Sequence, residues 1–179
     1  MSVTQIIRAG DCPEVAWKNG GGTTREIAVF PPGASMDDFL WRLSMARVER
    51  AGAFSTFAGI DRVLAVLDGV LHLSGPALDV RLGGASAPYA FDGSAAVTGE
   101  PVDGPVLDLN AMGRRGACHI VMQRLRAGDV APSRGAGFLV ALEAQQLGNS
   151  MLERWDCARM DGPLHVMGPS ILVQFVQGV

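Results

Sequence analysis

No stretch of this chain is apolar for long enough to span a bilayer, and residues 1–12 contain no apolar core of a secretory signal. The sequence therefore predicts neither a membrane protein nor an exported one. Cysteine is scarce: Cys12, Cys118 and Cys157 are odd in number, far apart and without a C-x-x-C pair. They read as reduced thiols of the cytoplasm, not as a disulfide framework or a zinc site. The histidines, His72, His119 and His165, stand apart from one another. An isolated histidine on a strand is more often a satisfied structural residue than a ligand or a base. Lysine and arginine form no cluster interleaved with aromatics, and the net charge is -3, so a nucleic-acid footprint is absent. The G-x-x-x-x-G-K-[ST] spacing of a phosphate-binding loop is missing as well.

What the chain does have is length, apolar residues and turns. With 179 residues, 48% of them apolar and 18% charged, it is globular rather than disordered and long enough for a core. Its 23 glycines and 10 prolines point to many turns, and so to β structure. Short apolar or alternating runs predict strands at 26–30, 41–48, 62–67, 70–74, 77–82, 106–110, 118–125, 137–147, 151–158, 164–167 and 171–176. Asp68-Gly69, between two apolar runs, predicts a two-residue hairpin turn. Residues 35–40 predict a short turn of helix, with Ser35 as its cap and aspartates in its first turn. The stretches 63–68 and 138–143 are apolar strands ending in an acid. Each is followed by a turn, a second alternating strand and an Asp-Gly pair. This weak repeat predicts a duplicated module, built into two packed barrels or a double sandwich.

Polar residues concentrate in three segments: 17–26, 41–44 with 52–62, and 108–115. In the first, Gly20, Gly21 and Gly22 stand just before a strand-like run. Glycine lets backbone approach another group closely, so the triplet reads either as a pocket wall or anion cradle, or as a flexible turn. At 41–48, Trp41, Leu43 and Met45 alternate with Arg42, Ser44 and Ala46. The Arg42 face looks either into a ligand cavity or out to solvent. In the third segment Asp108 and Asn110 share one side of a strand, with complementary donors and acceptors. The three segments are expected to converge on one pocket, because polar groups are costly to bury without partners.

The run 52–69 resembles the first motif of the cupin superfamily, G-x5-H-x-H-x3,4-E-x6-G. Gly69 falls on the final glycine, Arg62 on the glutamate, and Phe57 and Ser55 on the two histidines; Gly52 meets the first glycine loosely. The motif's metal ligands are all missing, and an arginine in place of the glutamate turns the pocket's preference from cation to anion. The resemblance thus implies no metal and no cofactor. More specifically, W-K-N-G-G-G-x-T-x-E-I, W-R-x-S-x-A, G-x-F-S-x-F-x-G-x-x-R and D-L-N-A-M-x-R-R, spread over about 17–115, are similar to signatures of the HutD/Ves family. That resemblance implies an all-β bicupin, two cupin-like double-stranded β-barrel halves packed together. The halves would be about 1–115 and 116–179, with room for strands exchanged between them. It also implies a bacterial cytoplasmic protein associated with histidine utilisation, in a regulatory, ligand-sensing role, or with stress responses.

The expected ligand-binding residues are Trp17, Asn19, Gly20, Gly21, Gly22, Glu26, Trp41, Arg42, Ser44, Phe54, Ser55, Phe57, Arg62, Asp108, Asn110, Met112 and Arg114. Arg62 is the leading anchor for a small carboxylate, whose two oxygens match the planar guanidinium fork. Arg42 or Arg114 would assist, with Trp17, Trp41, Phe54 and Phe57 as apolar walls. An internal partner for Arg62, such as Glu26, Asp61 or Asp108, is the competing expectation. By family analogy the ligand is a histidine-degradation intermediate such as formylglutamate, formiminoglutamate or urocanate. Three readings stay open: a metal-free binding protein, an enzyme using Glu26 or Asp108 as general base, and an interaction module with a vestigial pocket. No nucleic-acid or membrane partner is expected, and assembly into a dimer is left open.

Overall fold

The computed structural model describes residues 3–178. Its strands are β1 (Val3–Ile7), β2 (Glu14–Ala16), β3 (Gly22–Phe30), β4 (Trp41–Val48), β5 (Gly52–Ala53), β6 (Ile60–Gly75), β7 (Leu78–Gly83), β8 (Tyr89–Asp92) and β9 (Thr98–Arg114). There follow β10 (Cys118–Leu125), β11 (Val130–Ala131), β12 (Ala136–Ala141), β13 (Gln145–Leu147), β14 (Ser150–Leu152), β15 (Cys157–Met160), β16 (Leu164–His165) and β17 (Ser170–Gln177). A single 3-10 turn at Ala9–Asp11 is the sole helix among the described residues. No helix there is long and apolar enough to cross a membrane. The all-β expectation holds.

The chain divides into two compact units. An N-terminal unit spans 13–115, and a C-terminal unit combines 3–12 with 116–178. The first residues go with the C-terminal strands because β1 pairs antiparallel with β15. The N-terminal unit holds one antiparallel sheet in the order β2-β3-β4-β9-β6-β7, with β5 on β9 and β8 on β6. The C-terminal unit holds a five-stranded sheet, β1-β15-β12-β17-β10, and the pairs β11-β16 and β13-β14. Each path is open at its ends rather than closed into a ring.

Two long strands shape the N-terminal unit. The first part of β6 pairs with the end of β9, from Ile60 opposite Arg114 to Val66 opposite Asp108. After Asp68, the partner of Val70 jumps to Val102. Asp68-Gly69 is therefore not a hairpin turn but a bulge that bends β6, facing an excursion of β9 around Asp103-Gly104. Gly69 has φ +84, and a Cβ there would meet the Pro105 carbonyl oxygen at 2.9 Å. Turn and bulge both need a residue with φ > 0, so a local signal cannot tell them apart. The hairpin instead turns at Pro76-Ala77, between Gly75 and its partner Leu78.

The short helix expected at 35–40 is absent. The Asp38 carboxylate accepts from both the Ser35 N–H and its hydroxyl, at 2.5 and 2.7 Å. Such side-chain bonds hold the backbone in a turn in competition with helix. The predicted runs 137–147 and 151–158 are each broken in two, at 142–144 and 153–156.

The core of the N-terminal unit includes Val48, Leu64, Val66, Leu71, Leu73, Leu82, Val97 and Val106, with Trp17, Phe54 and Phe91 packed against it. In the C-terminal unit Leu125, Leu139, Leu147, Leu152, Met160, Val166 and Leu172 fill the interior. Full burial of each such side chain is worth roughly 1.5–3 kcal/mol.

Candidate functional site

Alternation along the central strands of the N-terminal unit sends a grid of side chains to one face. Opposite one another stand Arg42, Met112 and Arg62; in the next row Glu26, Ser44, Asn110 and Leu64; in the next Thr24, Ala46, Asp108 and Val66. The cavity over this grid has a volume of about 820 Å³. Trp17, Asn19, Glu26, Arg42, Ser44, Phe54, Ser55, Phe57, Arg62, Asp108, Asn110 and Met112 all line it. The three polar segments, distant in sequence, thus open onto one space.

Gly20, Gly21, Gly22, Trp41 and Arg114 are not on that wall. The N–H of Gly20 donates to the Trp17 carbonyl at 2.9 Å and that of Gly21 to Asn19 Oδ1 at 2.9 Å, so neither is spare for an anion. At Gly22 a Cβ would overlap the Arg47 carbonyl oxygen. The glycines therefore make a tight turn that lets the chain lie close on β4, and the turn places Trp17 and Asn19 at the cavity. Trp41 is one residue from Arg42 and so faces the other way, stacked on Phe30 at 5.7 Å. The Arg114 guanidinium donates to the carbonyls of Phe39, at 3.0 and 3.2 Å, and Asp37, at 3.2 Å. It pins the 37–39 loop instead of meeting a ligand.

Further lining comes from Pro13, Val15, Ala16, Lys18, Thr24, Met36, Ala46 and Ala53. Thr24 and Ala46 lie two residues from Glu26 and Ser44, so period-two alternation carried their signal. Lys18 sits inside the glycine motif. Nothing local marks Pro13, Val15 or Met36, which arrive from neighbouring segments.

Arg62 is the least satisfied cation of the site. It is 6% exposed, and its Nε has no hydrogen-bond partner. Nη1 donates to the Ser55 carbonyl at 3.2 Å. Three rings surround the guanidinium, with centroids 5.0 Å away for Phe91, 5.5 Å for Phe54 and 5.9 Å for Phe57. Cation–π attraction offsets part of the lost hydration. The loop carrying Phe54 and Phe57 is held by their N–H groups, which donate to Val97 and Gly93 at 2.8 and 2.7 Å. The expected internal partners are otherwise arranged. Glu26 pairs with Arg42 at 2.7 Å, and Asp61 with Arg115 at 2.7 Å. Asp108 acts on Arg62 through space, but the two form none of the ion pairs found within 4.0 Å among the described residues. Burial pulls the Arg62 pKa down to about 10, against the pull of Asp108 and with the help of Arg42. Asp108 is 1% exposed, and burial pushes its pKa up to about 7 despite Arg62.

At the positions where a cupin motif carries metal ligands this chain has Ser55, Phe57 and Arg62. A phenyl ring offers no donor and a guanidinium repels a cation, so these residues do not fit a metal ion. Among the described residues no group of three His, Cys, Asp or Glu side chains is placed to hold one. His72 lies elsewhere, bonded to Asp79 Oδ1 at 2.6 Å.

Comparison with known proteins bears on the family and the fold. The HutD family model matches residues 9–168. An uncharacterised 21.2 kDa protein in the hutC 3′ region of Pseudomonas putida is 32% identical over 188 residues, covering 98% of this chain and 96% of its own. Protein Ves of Citrobacter koseri is 36% identical over 154 residues, 78% of this chain and 74% of its own. The structure of HutD from Pseudomonas fluorescens SBW25 in its formate condition superposes with a TM-score of 0.88 at 28% identity, over 98% of this chain and 99% of that one. A cupin 2 conserved barrel domain protein from Leptotrichia buccalis shares the fold, with a TM-score of 0.60 at 9% identity over 99% and 98% of the two chains.

Proposed function

The chain belongs to the HutD/Ves family of the cupin superfamily, and from that membership and the state of Arg62 we propose a function. The protein is a metal-free binding protein for a small carboxylate, acting as a regulator or sensor of histidine utilisation in the cytoplasm. One observation carries the reading: a guanidinium 6% exposed, on the wall of a cavity, with an unpartnered Nε and no carboxylate bonded to it. A buried cation with no carboxylate hydrogen-bonded to it costs several kcal/mol in order of magnitude, and a ligand carboxylate supplies that bond in a geometry the planar fork matches. Glu26 already neutralises Arg42, which leaves Arg62 as the anion's target. One of the relatives supports the context, being placed in the hutC 3′ region.

The Asp108 carboxyl, titrating near neutrality, favours a second reading as an acid–base catalyst on the same ligand. No nucleophile stands bonded to it, so binding is the reading preferred here. Calorimetry with short mono- and dicarboxylates tests the proposal, alongside product analysis after incubation. Arg62→Met is expected to weaken binding by more than about thirtyfold, as loss of a charged hydrogen-bonding partner does, without lowering thermal stability. Unchanged affinity in a folded Arg62→Met protein removes Arg62 from the site. Turnover of a bound carboxylate replaces the sensor with the enzyme.

A further inference from the structure

Arg62 accounts for one end of a ligand, and two other atoms of the same cavity are orphaned in the opposite sense. Asp108 Oδ1 and Asn110 Oδ1 accept no hydrogen bond, although the residues are only 1% and 9% exposed. Both lie on the cavity side of β9. Across the sheet Asp108 faces Ala46 on β4 and Val66 on β6, and Asn110 faces Ser44 and Leu64. Beyond Ala46 stands Thr24 on β3, whose hydroxyl accepts from Trp17 Nε1 at 2.7 Å. The side chains of the alanine, valine and leucine can donate nothing, and the Ser44 hydroxyl, which accepts from Arg42 Nη1 at 3.5 Å, is bonded to neither oxygen. Buried oxygens are nearly always paired, and these two lack the same thing, a donor. Arg62 Nε lacks the converse, an acceptor. The other charges on the wall are Lys18 and the Arg42–Glu26 pair, which is closed on itself.

We infer that the cavity is bipolar and takes a zwitterion: a carboxylate at Arg62 and a cationic nitrogen donor, such as an amidinium, ammonium or imidazolium, at Asp108 and Asn110. The inference rests on the carboxylate reading of Arg62 and adds the second pole. Asp108 then sets specificity. Ionised, it holds a cationic N–H donor through a charge-assisted hydrogen bond; a neutral amide of the same shape earns only the weaker bond. Because burial already holds the Asp108 proton near neutrality, a cation that keeps the carboxyl ionised expels that proton.

Isothermal titration calorimetry of the full chain with three probes tests this. Glutarate offers carboxylates alone. N-formyl-L-glutamate adds a neutral amide, and N-formimino-L-glutamate replaces the amide oxygen by a cationic nitrogen of similar size. At pH 7 the formimino probe is expected to bind at least about tenfold tighter than the formyl one, the margin of a charged over a neutral hydrogen bond. Asp108→Asn is expected to bring that ratio to about one. Titration in two buffers of different ionisation enthalpy is expected to show proton release with the formimino probe and none with the formyl probe. Equal binding of the two by the wild type, or discrimination that survives Asp108→Asn, overturns the second pole and leaves the carboxylate reading standing. Failure of all three probes to bind, or indifference of all three to Arg62→Met, overturns both. Should Asp108→Asn fail to fold, the wild-type proton count decides, and no release with the formimino probe overturns the inference.

Discussion

Asp156 of the C-terminal unit and Asp108 of the N-terminal unit are 4% and 1% exposed, yet only Asp156 is saturated with donors. It accepts from Arg8 Nη1 at 2.6 Å, from the Ala9 N–H at 3.0 Å and from the Glu153 N–H at 2.9 Å. Burial works to raise its pKa, but those donors outweigh it and hold the carboxyl below its ordinary value. Asp108 has no such set, and burial pushes it up to about 7. Both units have closed apolar cores: Leu139, Leu152 and Leu172 in one and Leu64, Leu71 and Leu73 in the other are all 0% exposed. The contrast lies in the polar groups, since Arg62 Nε, Asp108 Oδ1 and Asn110 Oδ1 are unpartnered and their residues line the cavity of about 820 Å³ in the N-terminal unit. A buried polar group whose partners are all internal stabilises the fold. One whose partners are missing, on a cavity wall, is left open to a ligand.

Substitutions should separate the units by sign as well as size. The largest effect belongs to the filled core: Leu172→Ala is expected to cost about 3 kcal/mol in urea unfolding, the usual toll of a buried leucine cavity. A loss below about 1 kcal/mol would mean that the C-terminal interior is loosely packed around Leu172. Asp156→Asn is expected to cost about 2 kcal/mol at pH 7; Arg8 is partly exposed, so the loss falls short of that for a fully buried pair. The penalty is present above the unfolded carboxyl value and fades as pH falls through the depressed folded one. Asp108→Asn should do the reverse. The folded protein holds more protons on Asp108 than the unfolded chain between pH 3.8 and about 7, so its stability falls as pH rises across that window. The variant loses this slope and is expected to match the wild type near pH 4 and to exceed it by about 1 kcal/mol at pH 8. That gain is a fraction of the full shift, because attraction to Arg62 is lost as well. A variant weaker than the wild type at pH 8 would place Asp108 in the same class as Asp156.

The N-terminal half of this contrast is legible in the sequence, and the C-terminal half is not. The strands at 41–48 and 118–125 were read to their ends, because alternation and flanking turns agree there. Residue type and spacing mark Arg62, Asp108 and Asn110, and the three line one cavity. Trp41 reads as an apolar wall and Arg114 as an assisting anchor, but period-two geometry turns Trp41 away and Arg114 donates to backbone carbonyls. The glycine triplet reads as a pocket wall, an anion cradle or a flexible turn; its Gly20 and Gly21 N–H groups are used internally, and Gly22 lies close on the Arg47 carbonyl. The Asp68-Gly69 bulge reads locally as a hairpin because the pairing that distinguishes them joins residues far apart in sequence. The satisfied state of Asp156 was invisible for the same reason: Arg8 lies 148 positions away.

The smallest expected effect tests whether the rim of the cavity belongs with the ligand or with the fold. Glu26 and Arg42 meet at 2.7 Å, with the glutamate side chain 43% exposed and the arginine 13%. A half-exposed pair is screened by solvent and contributes little, so Glu26→Gln is expected to change stability by less than about 0.5 kcal/mol. Its effect on binding should be larger than its effect on folding. Removing the carboxylate frees Arg42, which puts a second uncompensated guanidinium on the wall that carries Arg62. Glutarate affinity is then expected to rise a few-fold at low salt, and the gain should shrink at high salt as screening grows. The preference for a cation-bearing probe should fall at the same time, because the added positive charge opposes it. Chemical unfolding and calorimetry at two salt concentrations read both quantities. A stability loss above about 1 kcal/mol with weaker glutarate binding would show the Glu26–Arg42 pair to be a structural closure like Arg8–Asp156, and the boundary between the two kinds of polar interior would have to be redrawn inside the N-terminal unit itself.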